Sequence, residues 1–205
     1  MRRLQARPQT TLLVAYHKLS THAVPPITTE TKYILPLAMT LIRCTQKLRK
    51  EMGLGPTDLS NESQESLLGD WYAHPFFYDR KKCLLFTVEK TLLTFLVTAV
   101  TRDLIRKLDD VFREGLFRLL LDEGFQPVQV NPLFDSCRLI EYAATTDRST
   151  TGSMNELVKD AQFWLGQYGG PTTNLTVLNQ KLNRIPMKRI EYANAIEATK
   201  ILLDL

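Results

Sequence analysis

The stretch Asp147-Arg148-Ser149-Thr150-Thr151-Gly152-Ser153-Met154-Asn155 gathers the residue types best suited to holding a negatively charged group. A strand-like run precedes it and a helical one follows. Ser153 and Glu156 stand at capping-box spacing, which predicts that the helix starts at Ser153. Unsatisfied amides and the helix dipole favour anions at such a start. Arg148 adds a guanidinium able to grip phosphate or carboxylate through two hydrogen bonds. Arg148, Ser149, Gly152, Ser153 and Asn155 are therefore the expected binding residues, and the ligand class is a nucleotide or a nucleic-acid phosphate. A plain helix cap with Arg148 paired to a nearby acid accounts for the same residues. The two readings separate on whether donors remain free. Neither GxxxxGK[ST] nor GxGxxG occurs, and no cofactor is predicted.

Three further positions are secondary candidates. Arg80 leads the run Arg80-Lys81-Lys82, a basic hairpin tip able to touch an anion. Asp70 and His74 are an acid and the one imidazole beyond residue 38. Four residues apart on a strand, they share a face at about 13 Å, too far for a direct hydrogen bond. No GxSxG elbow or HExxH helix occurs, so no catalytic residue is assigned. The preferred reading is a non-enzymatic binding module. One alternative is a hydrolase or transferase acting on a phosphorylated substrate, with Asp70, His74 or Asp147 as acid or base. Another is a protein-interaction module using a sheet edge or an aromatic face. Tyr72, His74, Phe76 and Tyr78 share one strand face, suited to stacking bases or to packing beneath a helix. Cys44, Cys83 and Cys137 are scattered, as are the histidines; neither a disulfide framework nor a metal site is expected.

These candidates depend on elements that the pattern places. Asp70–Tyr78, Cys83–Val88 and Thr91–Val97 read as three strands joined by the turns Asp79-Arg80-Lys81-Lys82 and Glu89-Lys90. Turns this short make neighbouring strands antiparallel. Pro75 favours an edge or irregular position. Thr40–Cys44 and Arg138–Ala144 are further strands. Helices are expected at Gln46–Met52, closed by Gly53, and from a Thr101 cap through Arg102 to Glu123. In the latter, Leu104, Ile105, Leu108, Val111, Phe112, Leu116, Leu119 and Leu120 form an apolar stripe that must be buried. Gln126–Ser136 reads as a loop punctuated by two prolines. Helices follow at Met154–Tyr168, Asn174–Leu182 and, after an Asn194/Glu197 capping box, Ala195–Leu203. The sum is an α+β fold: an antiparallel β-meander of about four to five strands with helices packed mainly on one face.

The net charge of +4 lies in the first 38 residues, where Arg2, Arg3, Arg7, Lys18 and Lys32 face Glu30 alone. Residues 39–205 balance their charges, which removes a domain-wide footprint for DNA or RNA. Residues 1–38 are expected to be a loosely ordered extension or to lie outside the native domain, with Met39 as the natural start. Residues 39–205 form a single α+β domain. No apolar run reaches the roughly 18–20 residues of a membrane span, and the scattered thiols suit a reducing cytoplasm.

Ile42-Arg43-Cys44-Thr45-Gln46-Lys47-Leu48, Leu68-Gly69-Asp70-Trp71-Tyr72-Ala73 and Asp79-Arg80-Lys81-Lys82-Cys83 occur in that order. Arg148 with Gly152-Ser153-Met154-Asn155, and Leu182-Asn183-Arg184-Ile185-Pro186-Met187, continue the series. Together they resemble a domain-of-unknown-function family of small bacterial proteins across residues 39–203. The resemblance implies a compact bacterial cytosolic domain and assigns no activity, cofactor or catalytic residue.

Overall fold

The computed structural model describes residues 39–61 and 66–204. The expected extension over residues 1–38 lies outside the described residues. Five strands form one sheet: β1 (Met39–Cys44), β2 (Trp71–Tyr78), β3 (Lys81–Val88), β4 (Thr94–Val97) and β5 (Leu139–Ala144), in the order β4-β3-β2-β1-β5. The meander is present as β2-β3-β4, antiparallel with Trp71 opposite Val88 and Leu84 opposite Val97. Its extension differs from a pure meander, because β1 lies parallel to both β2 and β5. The β2–β3 turn is tighter than four residues. Asp79 and Arg80 make it alone, with φ of 45° and 59°, the doubly left-handed turn whose twist matches the flanking strands.

Helices α1 (Gln46–Met52), α2 (Arg102–Arg106), α3 (Leu108–Asp122), α4 (Pro127–Ser136), α5 (Arg148–Gln167), α6 (Leu175–Leu182) and α7 (Ala195–Leu202) complete the fold. They cover both faces of the sheet rather than mainly one. Trp71, Ala73, Leu84, Phe86 and Phe95 point into a first core with Leu48 of α1, Ile105 of α2 and the α3 stripe Leu108, Phe112, Leu116, Leu119 and Leu120. Alternate residues Tyr72, Phe76, Cys83, Leu85 and Leu96 point the other way, into a second core with Met154, Leu157, Val158, Ala161 and Leu165 of α5 and Leu178 and Leu182 of α6. Strands apolar on both faces need two covers. Of the two readings of the aromatic strand face, packing beneath a helix holds and base stacking does not: Tyr72 and Phe76 are buried beneath α5 and α6.

The α3 stripe is buried as its spacing required, each large side chain contributing roughly 1.5–3 kcal/mol. Phe86, Phe95 and Phe112 cluster there with Trp71, Phe86 stacking on Phe95 at 4.8 Å. A Cβ on Gly115 would stand 2.3 Å from the Phe95 ring, so α3 approaches the sheet as closely as a bare backbone permits. The 102–123 helix is broken at Lys107 (φ −110°, ψ 38°) into α2 and α3. The region 126–136 is a helix rather than a loop. Pro127 occupies a first-turn position, where no N–H is needed, and Gln129 Oε1 accepts from Gln126 N at 2.7 Å.

The outer edge of β4 is closed by side chains. Asn183 Oδ1 accepts from Thr94 N at 2.7 Å and its Nδ2 donates to Thr94 O at 2.7 Å, while Asn179 Oδ1 accepts from Leu96 N at 3.0 Å. Two buried asparagines one helical turn apart thus stand where a sixth strand would pair. Replacing Asn183 by Leu strands a buried N–H and a buried C=O, and is expected to cost about 2–4 kcal/mol in urea unfolding. Faster hydrogen exchange at Thr94 should accompany the loss; unchanged stability would show that the edge needs no partner.

Candidate functional site

The neighbouring parallel strands β1 and β5 part company at their carboxyl ends. β1 leads into α1 on the first face, and β5 leads into α5 on the second. Ligand sites in open parallel sheets favour the crevice where successive connections diverge in this way. On the second face, strand register sets Ala143, Arg43, Tyr72, Thr87 and Thr94 side by side across all five strands. A polar row therefore crosses a sheet that is otherwise apolar.

Each member of the row is held. Arg43 Nε donates to Asp70 Oδ2 at 2.6 Å, its Nη1 donates to Ala144 O at 3.0 Å, and the paired side chains are 12% and 10% exposed. Thr87 and Thr94 share a hydroxyl hydrogen bond of 2.9 Å. Burial raises the Tyr72 phenol, a shift opposed by hydrogen bonds from Thr146 and the Asp147 backbone. The row thereby reaches the start of α5.

That start lies at Asp147, not at Ser153. The Asp147 carboxylate accepts from Ser149 N and Thr150 N, each at 2.9 Å, and from the Thr150 hydroxyl. It also pairs with Arg189 Nη1 at 2.9 Å. Hydrogen bonding from Thr150 leads the causes that lower its pKa to about 2. An aspartate six residues earlier captures the helix more effectively than the Ser153 box, since its carboxylate takes two orphan amides at once. The consequence for the expected site is direct. Arg148 and Ser149 are exposed first-turn residues, whereas Gly152, Ser153 and Asn155 fall inside the helix, where backbone amides serve the helical ladder. The chain's own carboxylate fills much of the position assigned to a ligand.

Beside it opens a shallow depression of about 640 Å³, lined by Glu89, Lys90, Ser149 and Arg189. Arg189 Nη2 lies 3.9 Å from Glu89, and Lys90 Nζ donates to the carbonyls of Ser66 and Leu67 at 2.9 and 3.2 Å. Of the residues expected from sequence, Ser149 lines this depression; Arg148 and His74 do not. Asp70 is occupied by Arg43. His74 stands half-buried on β2 opposite Leu85, its Nδ1 without a partner among the described residues. Burial and then Lys47 lower its pKa, leaving a neutral ring at pH 7. Arg80 sits on the hairpin turn, exposed. The residues missed from sequence are Arg43, Glu89, Lys90 and Arg189, and Tyr72 reads there only as part of an aromatic face. One signal was available: Arg43 is a cation in a strand that is otherwise uncharged and mostly apolar. Burial raises all three thiols, Cys44 to about 12 and Cys83 to about 11, so they are poor nucleophiles. Among the described residues no group of three or more His, Cys, Asp or Glu converges, and no helix is long and apolar enough to cross a membrane.

The Asp147 cap gives stability a definite acid dependence. Its folded pKa lies below the ordinary carboxylate value, so its contribution is complete above about pH 4 and is lost as pH falls toward 2. Asp147→Ala should cost about 1 kcal/mol at neutral pH, the usual size for a lost cap. The gap between variant and parent should narrow in acid. Equal urea midpoints at pH 7 would remove Asp147 from this role.

A profile of the domain of unknown function DUF6933 matches residues 41–198, from within β1 into α7. No curated protein matches the chain. The match spans all of the sheet but the first two residues of β1, and every residue of the polar row and depression, and the chain belongs to the DUF6933 family.

Proposed function

We propose that this domain is a non-enzymatic binding module for a small anionic ligand bearing phosphate or carboxylate, a nucleotide being the leading class, received in the depression at the start of α5. The observation that carries the reading is the donor set. Lys90 and Arg189 line the depression against the single carboxylate of Glu89, and Ser149 lines the same space. The grip of Arg189 and the first amides of α5 on Asp147 supports the reading, because it marks this corner as suited to an oxyanion. A ligand would meet the outer side of Arg189, the Ser149 hydroxyl and the α5 dipole rather than the amides Asp147 already holds. Binding is favoured over chemistry because Asp70 and Asp147 are engaged with arginines, Tyr72 is raised, and His74 stands away from the depression. A shallow, open site of this kind suits affinities on the order of 1 mM to 10 μM.

Titration with inorganic phosphate, ADP and a short oligonucleotide, followed by backbone amide shifts, tests this. Saturable shifts are expected at Lys90, Ser149 and Arg189, weakened at least about fivefold by Arg189→Gln or Ser149→Ala. Signals that stay put with all three probes, or shifts indifferent to both substitutions, would refute the proposal.

A further inference from the structure

Glu89 is the one residue lining the depression that an anionic ligand leaves unused. Lys90, Arg189 and Ser149 can donate to an anion, whereas the Glu89 carboxylate repels it. Its side chain is 32% exposed, and Arg189 Nη2 lies 3.9 Å away, beyond hydrogen-bond range. Among the described residues no group donates to either of its oxygens. Carboxylates this enclosed ordinarily accept hydrogen bonds. The depression therefore holds an unfilled acceptor beside its donors.

Acceptor and donor are both held from behind. Glu89 N donates to Asp70 O at 2.9 Å and Lys90 N to Leu68 O at 3.2 Å, which ties the turn after β3 to the segment entering β2. Gly69, at φ 82°, lies against that turn: a Cβ there would stand 3.2 Å from both Glu89 Cβ and Glu89 Oε2. The carboxylate thus rests on bare backbone that only glycine provides. Arg189 is anchored by Asp147, with which Nη1 pairs at 2.9 Å. Two of the three N–H groups of Lys90 are spent on the carbonyls of Ser66 and Leu67.

A fixed carboxylate beside a fixed guanidinium discriminates among anions. A bare oxyanion brings only lone pairs, and those turned toward Glu89 are repelled. An ammonium next to the ligand's negative charge would suit Glu89 but would stand against Arg189 and Lys90. A neutral hydroxyl meets neither objection and donates to the carboxylate in a charge-assisted bond. Two adjacent hydroxyls match its two oxygens. Resting on the function proposed above, we infer that Glu89 selects the ligand: the depression takes a phosphate carrying vicinal hydroxyls, as a ribonucleotide or a sugar phosphate does, with the phosphate toward Arg189 and Ser149 and the hydroxyls on Glu89.

Amide shifts of the full chain at Lys90, Ser149 and Arg189 test this with ADP, dideoxy-ADP lacking both ribose hydroxyls, ribose 5-phosphate and inorganic phosphate. ADP should bind at least about tenfold more tightly than dideoxy-ADP or phosphate. Ribose 5-phosphate matching ADP identifies a sugar phosphate as the class, and binding about tenfold weaker than ADP identifies a ribonucleotide. Glu89→Gln keeps the side chain's size and removes its charge. It should bring ADP and dideoxy-ADP within about threefold of each other, by weakening ADP, at an unchanged urea midpoint. The two nucleotides compared on the parent chain need no variant to fold. Equal binding of ADP and dideoxy-ADP by the parent, or a preference that survives Glu89→Gln, overturns the role of Glu89 and leaves the anion site standing. Signals unmoved by all the probes overturn both.

Discussion

A five-stranded sheet covered on both faces has nowhere to hide an unpaired backbone group, and this constraint governs the fold. Water reaches neither core, so N–H and C=O groups at a covered edge must find partners within the chain. On the β4 side, Asn179 and Asn183 meet the need by lending side-chain amides to strand backbone. The hydroxyls follow the same rule: Thr87 bonds Thr94, and Thr91 bonds Thr199 from α7. Proline sits within β2, yet only beyond the end of β1, where no donor is owed on that side. Placement of α6 is therefore specified by hydrogen bonds as much as by Leu178 and Leu182, and mispairing of the sheet edge is suppressed by the same contacts.

The polar row solves a second problem. Desolvating the Arg43–Asp70 pair is costly, and such a pair adds little stability over an apolar replacement. What it supplies is geometry. Arg43 ties β1 to the end of β5 and to the residue leading into β2, while Tyr72 meets the turn from which α5 departs. The first turn of α5, and with it Ser149 and the Asp147–Arg189 pair, is fixed relative to the sheet by groups that have almost no freedom.

Much of this architecture is legible in the residues. The α3 stripe, the β2–β3–β4 meander, Gly53 at a helix end and the caps Thr101 and Asn194 follow from local spacing and turn chemistry. What escapes is long-range. Nothing local distinguishes Asn183 from a surface asparagine, since its partners lie 89 positions away on β4. The second cover is written in β2, whose two sides are both apolar, but which helix takes which side is decided by the chain's path. At the site, the Gly/Ser/Thr run was readable and its register was not. Asp147, two positions before Ser149, competes with Ser153 for the helix start and wins on charge. Arg189 reaches the same corner from 42 positions away, with no nearby motif to announce it.

The three cysteines divide between the two sides of the sheet: Cys44 and Cys137 belong to one core, and Cys83 to the other. Each is sealed and held in the thiol form, so alkylation has to wait for the surrounding structure to open. The native chain thus carries internal clocks on either side of its central layer. Whether those clocks run together or apart distinguishes a body that opens as one cooperative unit from one that sheds α5 and α6 while the α3 side stays shut.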